Sequence, residues 1–278
     1  MNRVLVLRSL RDSWMLLLSC CALTFGFVWL RVWVSSKIKF EAFIKLFSEG
    51  LKIFSNLLPV PIEELASPLG RAAFSYEEGP VILLLALWAV ARGSECIAGR
   101  VGSGTMEMLL AQPLRRITLV SSHTAVTVAG IAALGLASWL GLASGLATSV
   151  FDPPPELTAL LPAAANYLGL GVFLAGLSTF VSALARTRSQ AVAVVMGFYI
   201  VELALMILAR ISPSVAWMEN FTILSAYEPT MLTLGLAKDA AAHWRQFWHC
   251  NAWLYGLGAL AWTAAAAIFC HRDVPAPL

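Results

Sequence analysis

Hydrophobic residues in this chain occur in long continuous blocks and do not alternate with polar residues. Blocks of about 20 apolar residues match the hydrocarbon thickness of a bilayer when they coil as helices. Inside lipid the backbone must satisfy its own hydrogen bonds, and Leu- and Ala-rich blocks without alternation favour helices over a barrel. The predicted fold is an all-α polytopic membrane protein, one transmembrane domain over residues 1–278 with six spanning helices. The predicted spans are Trp14–Val34, Pro80–Cys96, Ile117–Val150, Leu161–Ala185, Gln190–Ile211 and Asn251–His271.

The third predicted span has two distinctive features, its length and its glycines. It is too long for one straight crossing, so its ends are expected to project from the bilayer or to bend. Small residues let membrane helices approach closely, so glycines recurring along one span predict tight helix packing rather than a binding site. These glycines are Gly130, Gly135, Gly141 and Gly145.

Composition and charge agree with a membrane protein and suggest its orientation. The chain is 59% hydrophobic and 13% charged, with a mean hydropathy of +0.77, whereas soluble domains carry about 25% charged residues. Arginines concentrate at the chain start and in short turns such as Arg186–Arg188, which contains no acid. Because cytoplasmic loops are enriched in Lys and Arg, both termini are predicted in the cytoplasm, in a cell (inner) membrane. The net charge of +3 thus reports topology, and no nucleic acid partner is predicted.

Two external loops are predicted to lie at the membrane surface. Apolar residues recur at helical spacing after the first span, which predicts an amphipathic helix in the outer interface, ended by Pro59 and Pro61. The last external loop holds His243, His249 and Cys250, but their spacing fits no metal site, and nearby tryptophans favour interfacial packing. The residues of the amphipathic pattern are Phe40, Phe43, Ile44, Phe47, Leu51, Phe54 and Leu58, and the tryptophans are Trp217, Trp244, Trp248 and Trp253.

The segment between the second and third spans, residues 99–116, carries the most informative pattern. Ser103 or Thr105 is expected to cap a short helix, with Glu107 in the first turn, where the helix dipole favours an anion. Pro113 is expected to stop the helix. No Lys follows Gly104 and the preceding element is a membrane helix, so this is not a P-loop. The apolar face is formed by Met106, Leu109 and Leu110.

This segment resembles the permeases of the type-2 exporter class of ATP-binding-cassette (ABC) transporters. The order Gly104-Thr105, Glu107, Leu109-Leu110, Pro113 and Arg115 is similar to the stretch that follows their second span. The entry Leu7–Arg11 is similar to the amphipathic lead-in of that family, and six spans with both ends inside match its usual topology.

The resemblance implies a permease subunit without its own ATPase. Two such subunits, identical or different, would pair with two cytoplasmic ATP-hydrolysing subunits that bind ATP and Mg²⁺; no cofactor is expected in this chain. The helix over Met106–Gln112 would be a coupling helix seated in a groove of the ATPase. The expected ATPase contacts are Thr105, Met106, Glu107, Leu109, Leu110, Pro113, Arg115 and Arg116.

Glu202 is the only acid deep in a predicted span, and Arg92 is its expected partner. Unpaired charges at the bilayer centre are costly, so we expect these two residues to pair or Glu202 to line the transport pathway. The alternative is that Arg92 extends to the inner surface and Glu202 is protonated. No catalytic residue is predicted, although a membrane-embedded enzyme and a structural anchor remain as rival functions.

Overall fold

The chain forms the predicted bundle of six membrane-spanning helices. The computed structural model describes residues 3–38, 60–112, 115–211 and 213–271. Within these ranges six helices are long and apolar enough to cross a membrane, and no strand occurs. The first to sixth spans are Arg3–Lys37, Gly79–Ser94 with a helical extension to Gly102, Arg116–Ala147, Leu161–Leu184, Arg188–Ile211 and Ala240–His271.

Two spans are longer than their apolar blocks. The first helix begins at Arg3 and the sixth at Ala240, well before the predicted Trp14 and Asn251. Both additional segments have polar and charged residues between apolar ones, which a helix tolerates once it has left the hydrocarbon region. Apolar content therefore located the membrane part of each helix and not the point where the helix begins.

The glycines of the third span confirm the prediction of tight packing. A Cβ atom added at Gly141 would lie 2.6 Å from the carbonyl oxygen of Phe25, and one at Gly145 would lie 2.7 Å from Cβ of Val32. The third span thus lies directly against the first. It is one continuous helix of 32 residues, about 48 Å long, which exceeds a hydrocarbon core of about 30 Å.

The two ends of the bundle are distinguished by the chain termini. Arg116 Nη1 donates to the carbonyl oxygen of Phe269 at 3.0 Å, which joins the start of the third span to the end of the sixth. Residues from the start of the first span line a cleft with residues 100–112. We call the end of the bundle that holds the start of the first span and the end of the sixth the terminal end. At the opposite end, Arg31 Nε lies 2.5 Å from Glu78 Oε1.

Short helices cover the opposite end. They are Ile62–Leu65, Pro68–Ala73, Phe74–Tyr76, Leu157–Leu160, Pro213–Phe221, Ile223–Ala226 and Pro229–Lys238. The amphipathic helix predicted over Phe40–Leu58 lies outside the described residues, so it stays a prediction. More than half of the residues in the apolar windows of the second, third and fourth spans are buried, compared with about a fifth in the first, fifth and sixth. The largest fully buried side chain in the described residues is Trp88, whose Nε1 donates to the carbonyl oxygen of Thr127 at 3.0 Å.

Candidate functional site

A six-residue helix, Thr105–Leu110, connects the second and third spans, and we call it the interspan helix. The chain enters it through Gly104, whose φ of 69° lies in the left-handed region that glycine adopts at little cost. The prediction of a Ser103 or Thr105 cap is wrong, because no side chain caps this helix. The Thr105 hydroxyl instead lies 2.9 Å from that of Ser103 and 3.3 Å from the carbonyl oxygen of Arg100.

The apolar face of the interspan helix packs against the bundle. Met106 is fully buried, and Leu109 and Leu110 are half-buried in the same cluster. This placement contradicts the expectation that Met106 lies on a face that contacts a partner. An amphipathic pattern predicts which face of a helix is buried. It does not show whether that face packs against the same chain or against another protein. The buried members of the cluster, which we call the collar, are Cys96, Ile97, Val101, Met106, Leu119, Val120, Ala183, Ala265 and Phe269.

The outward side of the interspan helix has a different composition. Glu107, Met108 and Ala111 are exposed at a spacing that places them on one face of the turn. Met108 is 74% exposed. Thr105 and Gln112 are exposed beside this face. A partner that docks on this helix would meet these side chains.

The basic residues after the helix behave differently from one another. Arg115 is exposed and directly precedes the third span. Arg116 is half-buried, donates to the carbonyl oxygen of Phe269 and lies 5.6 Å from that residue's ring. Arg116 thus holds two spans together within the chain. Pro113 lies outside the described residues, so its role in stopping the helix stays a prediction.

The predicted pair of Arg92 and Glu202 does not form. Both side chains are buried, but no ion pair joins them, and each has a different partner. Arg92 Nη2 donates to Ser9 Oγ near the terminal end. The prediction relied on depth counted along two helices, and depth does not fix the direction in which a side chain points.

Glu202 binds backbone amides at the opposite side of the bundle. Its Oε2 accepts hydrogen bonds from the amide nitrogens of Ile223, at 2.6 Å, and Leu224, at 3.4 Å. These two residues begin the short helix Ile223–Ala226, whose first N–H groups have no partner within the helix. A carboxylate therefore satisfies the start of a helix that a different segment contributes.

Sequence reasoning missed a polar network that ties the same loop to the bundle. Asn166 donates to the carbonyl oxygen of Ala226 at 3.0 Å and accepts from the amide nitrogen of Glu228 at 3.1 Å. Arg210 Nη2 lies 3.1 Å from Glu228 Oε1. The signal in the sequence was Asn166 itself, an amide side chain within the fourth predicted span, since a buried amide must find hydrogen-bond partners.

The histidines near the last loop have local partners. His249 Nε2 lies 3.0 Å from Trp253 Nε1, and His243 Nδ1 lies 3.0 Å from the carbonyl oxygen of Asp239. Cys250 is buried. Over the described ranges, no group of three or more His, Cys, Asp or Glu side chains is arranged to hold a metal ion.

Comparison with known proteins identifies the family. A protein-family model described as "ABC-2 family transporter protein" matches residues 8–270, from the first span to the end of the sixth. No curated protein matches the chain. The match covers the whole six-helix bundle and the interspan helix, and it confirms the resemblance on which the sequence interpretation depends. The chain therefore belongs to the ABC-2 family of transporter proteins, as the membrane-spanning permease subunit of an ABC transporter.

Proposed function

We propose that this permease is half of an exporter whose transport cycle is driven through the interspan helix. A separate ATP-hydrolysing subunit, which the family implies, would dock at the terminal end and supply the site for ATP and Mg²⁺. A second permease subunit, identical or different, would complete the transport unit. The observation that carries the proposal is the two-sided interspan helix, buried on one side in the bundle and exposed on the other.

The inner side of the helix suits it for transmitting force. Met106 lies in the collar, to which the second, third, fourth and sixth spans all contribute residues. Because packed side chains deform little, a push on the helix would move these span ends together. ATP binding would then favour one arrangement of the bundle through contacts that differ between its two states.

The outer side suits the helix for docking. Met108 offers an exposed apolar side chain, and buried apolar anchors contribute most of the affinity at protein interfaces. Glu107 lies beside it and could select orientation through its charge, since rim charges act mainly on specificity and association rate. We expect the ATPase groove to contain an apolar pocket for Met108.

The charge distribution supports a cytoplasmic position for the terminal end. Exposed arginines at this end include Arg8, Arg11, Arg115, Arg186 and Arg188, and short loops rich in Arg stay in the cytoplasm. We therefore propose that both termini face the cytoplasm of a cell (inner) membrane. A Thr187→Cys variant, in a background without other cysteines, would test this: an impermeant thiol reagent added to intact cells should not label it. Labelling from outside would reverse the topology.

Co-purification with the ATPase tests the coupling role. Met108→Asp should leave the chain in the membrane and remove the ATPase from it, because a carboxylate would be buried in an apolar pocket. Met108→Leu, which keeps an apolar side chain of similar size, is the matched control and should retain the ATPase. If the ATPase co-purifies with Met108→Asp and its ATP turnover is unchanged, the interspan helix is not the coupling element.

The chain on its own is expected to have no catalytic activity. The acid that a membrane-embedded enzyme would have used, Glu202, is engaged with two backbone amides. Assay of the purified permease with and without its ATPase addresses this point. Substrate turnover by the permease alone would favour the enzyme, whereas transport that requires both subunits supports the exporter.

A further inference from the structure

A polar cleft opens at the terminal end beside the interspan helix. Its volume is about 570 Å³, and it lies between the start of the first span, the end of the second span and residues 103–112. Six charged side chains line it, and four of them are arginines. The charged residues are Arg8, Arg92, Arg100, Arg188, Asp12 and Glu95.

The two acids do not balance the four arginines. Glu95 Oε2 lies 3.4 Å from Arg188 Nη1, so this acid already has a cation. Asp12 is exposed on the first span and interacts electrostatically with Arg92, but it lies beyond ion-pair distance from it. The lining therefore keeps an excess of positive charge, concentrated on Arg8, Arg92 and Arg100.

Arg92 is the most deeply buried of these arginines, and its guanidinium forms no ion pair with the residues that the structure describes. Its side chain is 5% exposed, one guanidinium nitrogen donates to Ser9 Oγ, and the guanidinium carbon lies 5.7 Å from the ring of Trp88. No carboxylate of the described residues lies within 4.0 Å of it, and its Nε has no hydrogen-bond partner there. A buried charge is costly unless a counter-charge and hydrogen bonds compensate it.

We propose that this cleft binds a phosphate group, held by Arg92 at its base and by Arg100 and Arg8 at its rim. The planar guanidinium donates paired hydrogen bonds that match phosphate oxygens, and three arginines around one cavity are suited to a single anion. The phosphate would supply the counter-charge that Arg92 lacks.

The phosphate could belong to an anionic lipid or to a soluble molecule. The cleft is at the end of the bundle where the spans leave the apolar region, which is the depth of lipid head groups. Leu5 and Leu16 also line it, and such apolar surface suits an acyl chain. Both sources share the same chemistry at the arginines.

Binding measurements on the purified full chain test the proposal. The chain, in neutral detergent, is titrated with phosphatidylglycerol, with phosphatidylcholine and with inorganic phosphate, and binding is followed by native mass spectrometry and by thermal stability. Arg100→Gln is the test variant, since Arg92→Gln could fail to fold. Arg11→Gln is the matched control, because Arg11 is exposed on the first span but does not line the cleft.

Phosphatidylglycerol should bind more tightly than phosphatidylcholine, and Arg100→Gln should weaken its binding about tenfold, the value expected for losing one charged hydrogen-bond partner. Arg11→Gln should bind as the unmodified chain does. Binding of inorganic phosphate with the same dependence on Arg100 would identify a soluble phosphate compound as the ligand. Equal binding of the two lipids together with no response to inorganic phosphate, or equal losses in the two variants, would overturn the proposal.

Discussion

The carboxylate of Glu202 accepts a hydrogen bond from the amide nitrogen of Ile223 at 2.6 Å, so an acid within the fifth span holds the loop that follows that span. This contact replaces the ion pair with Arg92 that the sequence suggested. It also explains why an acid is tolerated there, since a carboxylate that accepts hydrogen bonds from two amides is no longer an unsatisfied buried charge.

Replacement of Glu202 by Ala should loosen this loop. Two amide N–H groups would lose their acceptor, at a cost of about 1–3 kcal/mol for each buried group that remains unsatisfied. We expect a lower midpoint of thermal unfolding in detergent and faster proteolysis within residues 213–238. Glu156→Ala, at an exposed acid in another loop, is the control and should leave both unchanged. If the two variants unfold alike, Glu202 does not hold the loop.

The glycines at the contact of the first and third spans should resist enlargement. Gly141→Ala would place a methyl group 2.6 Å from the carbonyl oxygen of Phe25, and such overpacking costs about 1–3 kcal/mol. Gly26→Ala is the matched control, because an added Cβ there would meet nothing within 4 Å. In a helix that change should be neutral or stabilising by up to about 1 kcal/mol. The midpoint of thermal unfolding should fall in Gly141→Ala and should stay the same or rise in Gly26→Ala.

Substitutions at Met106 and at Met108 of the interspan helix should have different effects on thermal stability. Met106→Ala removes a fully buried side chain and should cost about 2–5 kcal/mol. Met108→Ala removes a side chain that is 74% exposed and should leave thermal stability unchanged in the absence of the ATPase. Equal destabilisation by the two substitutions would mean that the helix is not packed as described.

Two ion pairs at the opposite end should differ in strength. Arg210 and Glu228 have side chains that are 13% and 12% exposed, whereas those of Lys238 and Glu64 are 58% and 29% exposed. Breaking an ion pair costs more the better the pair is shielded from water, up to about 3–5 kcal/mol for a fully buried pair, whereas exposed pairs contribute about 0–1 kcal/mol. Glu228→Gln should therefore lower stability much more than Glu64→Gln. Chemical denaturation of both variants measures the difference, and similar losses would contradict it.

The sequence predicted the six spans because the length and hydropathy of a block are set by the bilayer itself. It also predicted the close packing of helices at Gly141 and Gly145, since small residues allow the backbones of two membrane helices to approach each other. It could not predict that the first and sixth helices continue to Arg3 and Ala240. Outside lipid, helix formation depends on intrinsic propensity and tertiary packing rather than on a continuous apolar block, so it leaves a weaker pattern in the sequence.

The sequence predicted a short helix between the second and third spans, but it did not predict the directions of the side chains on that helix. The sequence placed a short helix near Met106, yet only the packing of the bundle shows that Met106 points inward and Met108 outward. The helix also begins at a left-handed Gly104 rather than at a hydroxyl cap. Polar partners far apart in sequence, such as Glu202 and Ile223, gave no local signal.

The collar around Met106 has a mechanical consequence. It joins the interspan helix to the second, third, fourth and sixth spans, and within the described residues the first and fifth spans contribute nothing to it. If a partner displaced the interspan helix, these four spans would move together as one stiff frame, because their packed side chains deform little. The first span would follow this frame, because Gly141 and Gly145 of the third span lie directly against it.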